Sequence, residues 1–371
     1  MKCKKILTAL LAAACTMSGC HGDLDIMQDN KLSASNMWID ESDAETATYG
    51  IYLYMRDALK SVHDIYLCWG EFRNGLWGAG TNKTLSGVDQ TQVRTSTMSS
   101  SNAYADWSVM YKTVNQANLI LKHVPEMGIS ESVRNFSLGN AYFSRAWCYF
   151  WIARIWGDAP LALTGYESTA GDLYLPRAPK AEIFARIESD LTEAERYVTD
   201  NSDKAVATPA AVQMLKADYA LWMYRVAGGG SSYLTMAEEA IETLNLSASR
   251  LESDYAQVFS SANKLNKEVI FAVHQANGEA VNGPGYYLGW NSNYVEAAYQ
   301  NNPVPITGGN QWWWYTDRYK ALLTSVEGDT RTKLTYNRAD YGTTIKSIEW
   351  TEKGVGQMIS GARIFDSDFI P

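Results

Sequence analysis

Tyr286, Tyr287, Trp290, Tyr294 and Tyr299, followed by Trp312, Trp313, Trp314 and Tyr315, occupy a stretch with neither helical nor strand period. A buried core has no need of such a cluster in a loop. A pyranose ring has a face of C–H groups that lies flat on an indole or phenol, and a rim of hydroxyls that needs side chains able both to donate and to accept. Asn291, Asn293, Gln300, Asn301, Asn310 and Gln311 stand among the rings and supply that chemistry. Any one ring is as well explained as a plug sealing a loop onto the body. The cluster is what points to a ligand.

Other chemistries find less support. The histidines, His21, His63, His123 and His274, form no i, i+4 pair and no HExxH, so no catalytic zinc is expected, and no motif in the chain calls for another metal or a cofactor. There is no GxSxG elbow and no P-loop; Gly283-Pro284-Gly285 puts a proline where a phosphate cradle needs free N–H groups. A glycosidase needs only two suitably spaced carboxylates, which the abundant acids leave open. The formal net charge of −9 argues against nucleic acid as a partner, since that affinity comes from clustered Lys and Arg. The ring bias, 13 Trp and 23 Tyr against 9 Phe, favours aromatics with a polar edge.

The start of the chain reads as a targeting segment. Lys2, Lys4 and Lys5 precede an apolar run from Ile6 to Ala14, and Thr16-Met17-Ser18-Gly19-Cys20 resembles a bacterial lipobox. Residues 1–19 are therefore expected to be a lipoprotein signal peptide, with Cys20 lipidated and residues 20–35 a tether. Removing 1–19 takes three of the 32 basic residues and none of the 41 acidic ones, leaving −12. No other segment has about 18 consecutive apolar residues, so lipid alone would anchor the protein. Cys68 and Cys148 are then the cysteines left for the body, as one bridge or as two buried thiols.

Residues 36–371 read as one domain, helical over 43–245 and irregular, with short strands, over 269–371. Helical spacing predicts helices over Asp43–Leu59, Ala103–Val124, Val133–Trp156, Lys180–Val198, from a Thr208 cap and Pro209 to about Gly228, and Tyr233–Leu244. The helix over 133–156 is apolar almost all round and belongs at the centre of a bundle. The last two helices form a pair of about 34 residues, the period of tetratricopeptide-like stacking. Between the first two helices the pattern predicts a long loop over Tyr66–Ser101, rich in Gly, Asn, Thr and Ser, and after the last a strand over Val269–Gln275.

Several separated segments together resemble the SusD/RagB family of outer-membrane nutrient-binding lipoproteins of the Bacteroidetes. They are Cys20-His21-Gly22-Asp23-Leu24-Asp25, Gly50-Ile51-Tyr52 in its helix, and the stretch WSVMYKTVNQANLIL from Trp107 to Leu121. The others are Arg145–Phe150 with Trp156-Gly157-Asp158-Ala159-Pro160-Leu161, Leu175–Ala178, and Asn266–Phe271. The resemblance implies a mostly α superhelix of tetratricopeptide-like pairs and no catalysis. It further implies oligosaccharide binding on the outer membrane, facing the cell exterior, and delivery to a SusC-like TonB-dependent transporter. A peptide-binding, RagB-like protein is the alternative it leaves, with a secreted glycoside hydrolase behind that. By position the site residues would be Arg73, Asn74, Trp77, Tyr286, Trp290, Tyr294, Trp312 and Trp314. Trp77 and Trp290, Trp312 or Trp314 are expected to present rings to solvent in one shallow groove. The family usually runs past the phrase Phe365–Pro371, so further C-terminal helices are expected to be missing, leaving an uncovered apolar face on the helix over 133–156 or its neighbour from Thr208.

Overall fold

A computed structural model describes residues 37–60, 65–70, 72–79, 88–169, 173–274, 292–302, 304–306, 313–339, 348–350, 357–359 and 362–364. The chain divides after Ile39, and the body below is Asp40–Pro371. The signal segment 1–19, Cys20, the tether 20–35, and the chain end 365–371 lie outside the described residues. No helix among the described residues is long and apolar enough to cross a membrane.

The body is mostly α. Its helical part runs α1 (Glu41–Lys60), α2 (Ile65–Gly70), α3 (Val88–Thr95), α4 (Ser108–His123), α5 (Glu131–Trp156), α6 (Lys180–Tyr197), α7 (Pro209–Arg225) and α8 (Ser231–Thr243). Among these lie the short strands β1 (Trp77–Ala79), β2 (Ala159–Pro160) and β3 (Arg177–Ala178). After α8 come α9 (Tyr255–Val258), β4 (Ala272–Val273), β5 (Trp313–Tyr315), α10 (Asp317–Leu323), α11 (Thr330–Thr335), β6 (Asn337–Ala339), β7 (Ile348–Trp350), β8 (Gln357–Ile359) and β9 (Ala362–Ile364). The strands make small sheets: β1 on β5, β2 on β3 and β6 on β7, all antiparallel, and β4–β9–β8 with β4 parallel to β9.

The helices stack in sequential pairs, α1 with α4, α4 with α5, α5 with α6 and α7 with α8. The central one is α5, buried almost continuously from Ser137 to Ala153, as its all-round apolar character requires. Gly139 allows α6 to end against it: a Cβ there would lie 2.7 Å from Val198 Cγ2 and 3.0 Å from Val198 N. Thr208 caps α7 by accepting from Ala211 N at 3.1 Å, with Pro209 in the first turn. On α7, Leu221 and Tyr224 are exposed, as is Val226 just beyond.

Polar residues on these helices hold the segment after α5. Tyr111 and Tyr149 donate to Pro160 O at 2.6 Å and Ala162 O at 2.7 Å. Asn118 Nδ2 donates to Ala162 O at 2.9 Å. Asn115 closes both bonds of Tyr166, Tyr166 N donating to its Oδ1 at 2.8 Å and its Nδ2 donating to Tyr166 O at 3.0 Å. Behind this strap, Arg145 grips Asp190 through Nε (2.8 Å) and Nη2 (2.7 Å) and donates through Nη1 to Asn118 Oδ1 at 2.7 Å. One buried network thus ties α4, α5, α6 and the strap.

Two expectations change. The region 66–101 is not one loop: α2, β1 and α3 form within it, each too short to show a period in the sequence. The strand expected over Val269–Gln275 shrinks to Ala272–Val273. Cys68 and Cys148 are both fully buried and form no disulfide.

Candidate functional site

Helical spacing brings Trp151, Arg154 and Ile155 to one side of the C-terminal turns of α5, with Trp156 at its end. Opposite stand Cys68, Trp69 and Gly70 of α2, Arg73 just after it, Val93 of α3, Met98, Ala105, and Trp222 from α7. Together they line a cavity of about 450 Å³, within the usual range for a ligand pocket.

Its wall is aromatic and its rings are fixed. Trp69 meets Trp156 edge-on at 5.4 Å and Trp151 at 6.0 Å. Trp69 Nε1 donates to Tyr104 O at 2.9 Å and Trp156 Nε1 to Ala105 O at 3.0 Å. Trp107 continues the row, 6.3 Å from Trp156, with the Arg177 guanidinium 4.5 Å over its ring. Arg154 lies 3.9 Å over the Phe150 ring, 4.8 Å from that of Trp151 and 5.8 Å from that of Trp222, so its cation is held largely by aromatic faces. Asp218 Oδ2 reaches its Nη1 at 3.4 Å. Burial pulls the Arg154 guanidinium below its ordinary range while Asp218 pushes back; an arginine keeps its proton at neutral pH regardless.

A second cluster stands next along the chain. Asn74 Oδ1 accepts from Leu76 N at 2.8 Å, and Gly75 takes a left-handed φ of +78°, which starts β1. β1 then pairs with β5 in the register Trp77↔Tyr315, Gly78↔Trp314 and Ala79↔Trp313. Opposed residues share a face, so Trp77 packs edge-on against Tyr315 at 5.1 Å and against Phe72 at 5.9 Å. Thr316 Oγ1 closes the ribbon by donating to Gly75 O and Leu76 O, both at 3.1 Å. Tyr319 (5.0 Å) and Trp314 (4.6 Å) crowd the Tyr315 ring, and burial pushes its phenol pKa far up.

Of the residues expected in the site, Arg73 lines the cavity and is exposed. Asn74 is exposed and its side-chain oxygen holds the turn. Trp77 is half-buried and packs on the core. Trp314 is a correction: it is 3% exposed, not presented to solvent, because its strand position opposite Gly78 turns it inward. Tyr294 sits in a short helical turn, Ser292–Tyr294. Tyr286, Trp290 and Trp312 lie outside the described residues. Of the expected amides, Gln300 Nε2 donates to Ser292 O (3.0 Å) and Val295 O (2.7 Å), and Asn301 Oδ1 accepts from Ile306 N (3.1 Å), so both brace their own loop. The structure thus joins Trp77 to the Trp313–Tyr315 stretch through strand pairing. The cavity residues Trp69, Trp151, Arg154, Trp156 and Trp222 were not expected in the site. Their signal was an arginine and two tryptophans within the last six residues of an otherwise apolar helix.

Among the described residues, no group of three or more His, Cys, Asp or Glu could hold a metal. Comparison with known proteins supplies a frame. Residues 79–222 match a SusD-like family described as starch-binding associating with outer membrane. The SusD-like protein P38 of Formosa agariphila is 26% identical over 190 residues, 51% of this chain but only 36% of that relative's length. A SusD superfamily crystal structure from Bacteroides fragilis superposes with a TM-score of 0.69 at 24% identity, covering 90% of this chain and 70% of its own. The surface glycan-binding protein A of Bacteroides thetaiotaomicron, solved in complex with laminarihexaose, gives 0.62 at 16% identity, over 80% and 63%. At these identities the structural likeness is one of fold.

Proposed function

We propose that this chain, which belongs to the SusD-like family, binds oligosaccharides at the cell surface and passes them unaltered to a TonB-dependent outer-membrane transporter. The observation that carries the reading is the tryptophan-walled cavity at the end of α5, whose flat apolar faces suit the C–H face of a sugar ring. The family's description supports the ligand class and the membrane, and the fold neighbour holding laminarihexaose supports the ability of such a body to take a glycan. The lipobox-like Cys20 supports anchoring by lipid. A glycosidase needs two carboxyl groups facing across its cleft, and among the described residues lining the cavity there is no Asp or Glu.

The test is calorimetry on the full chain against a panel of oligosaccharides and oligopeptides, with reducing ends assayed in parallel. Saccharide binding without cleavage is expected, and Trp156→Ala should weaken it by about 1–3 kcal/mol. Peptide binding in its place, or release of reducing ends, overturns the reading.

A further inference from the structure

The polar groups of the cavity are lopsided. Among the described residues that line it there is no Asp, Glu, Asn, Gln, Ser, Thr or Tyr, so apart from the weak sulfur acceptors of Met98 and Cys68 these side chains can only donate. Of those donors Arg73 is the exposed one. Trp151 Nε1 and Arg154 Nε have no hydrogen-bond partner but are buried, out of a ligand's reach. Arg73 stands at the rim; among the described residues no carboxylate pairs with it, and its contact is a 3.5 Å approach of Nη2 to Ser96 Oγ. A guanidinium covered by a neutral ligand loses water without gaining a counter-charge. Hydroxyls alone would meet these donors but find few acceptors for their own protons. A carboxylate is acceptor-only and matches the guanidinium fork with two parallel bonds.

We infer that the cavity is specific for a carboxylate-bearing saccharide, with Arg73 as the residue that clamps the acid while the tryptophans hold the ring. This rests on the glycan-binding reading above and deepens it. The local cation is set in a chain of net charge −9, so the acid is drawn by this site and not by a general basic surface.

The experiment prints each of a set of uronic-acid oligosaccharides in three forms: as the acid, with its carboxyl reduced to the neutral alcohol, and as a sulfate ester of that neutral form. The full chain and its Arg73→Gln and Arg73→Lys variants are applied to this array, and hits are titrated calorimetrically. The acid form is expected to bind about 10-fold or more tighter than its reduced twin. Arg73→Gln should erase that difference by weakening the acid form far more than the neutral one, and Arg73→Lys should restore only part of it. Equal binding of acid and reduced forms, preference for the sulfate, or equal weakening of every form by Arg73→Gln overturns the inference and leaves the glycan reading standing. Absence of any saccharide binding overturns both. Because Arg73 is exposed, unchanged melting of the variants confirms that the effect is local.

Discussion

Replacing Asp190 by Ala should be among the most damaging single changes in the helical stack. Asp190 is fully buried and Arg145 nearly so, and two of the three charge-assisted bonds made by the guanidinium end on this carboxylate. Without it the cation keeps only Asn118 Oδ1, in a place where water cannot replace what is lost. Removing one partner of such a pair typically costs about 3–5 kcal/mol, a large part of the roughly 5–15 kcal/mol of a domain. The damage should spread, since Asn118 is held between Arg145 and the carbonyl of Ala162. The double change Arg145→Met with Asp190→Leu removes both charges and fills the space, so it should return to within about 2 kcal/mol of the parent. Urea unfolding followed by far-ultraviolet circular dichroism, with hydrogen exchange over 159–166, reads both quantities. A loss under about 1 kcal/mol for Asp190→Ala, or a double variant as weak as the single, would refute the argument.

Gly139→Ala should lower the melting temperature by several degrees, at a cost of about 1–3 kcal/mol, because the new methyl meets the Val198 backbone as well as its side chain; an unchanged melt in scanning calorimetry counts against that close approach. Cys68 and Cys148 should resist a disulfide reagent in the native protein and react once urea unfolds it, since both are buried and burial pushes the Cys148 thiol far above its ordinary value. Glu167 is held below the usual carboxylate range, first by its hydrogen bond from Lys122 and then by His123. Its contribution to stability is therefore present at neutral pH and lost as pH falls through that lowered value, and Glu167→Gln should flatten this part of the acid titration of stability.

How much could be read in advance depended on whether a residue's partner was near in sequence. α1, α4, α6 and α8 announce themselves because their apolar residues repeat every turn, α5 by its long apolar run, and Thr208-Pro209 marks the start of α7 by its own chemistry. Asn115 and Asn118 looked like ordinary polar positions on α4; their partners lie 44 to 51 residues on, in the strap. Trp151 reads as core because α5 is apolar on nearly every side, and nothing local marks Arg154 or Trp156 as lining a cavity. What makes their end a cavity is where the neighbouring helices stop, which no local pattern records. Trp314 erred the other way: its ring-rich neighbourhood suggested exposure, whereas the register against Gly78 buries it.

The β1–β5 ribbon has a bearing on the order in which the protein assembles. Thr316 bonds Gly75 across 241 residues, and closing a flexible loop of that size costs about 5 kcal/mol in chain entropy. Three residue pairs and one hydroxyl cannot offset that in an open chain. The ribbon can form only after the helical stack has already brought its two strands within reach, which makes it a late event in folding and an early one in unfolding. The turn that carries Arg73 is anchored on one side by α2, within the stack, and on the other by this late closure. Its final position is thus set last, and fluctuations of the native protein should open the rim of the cavity well before they disturb its tryptophan floor.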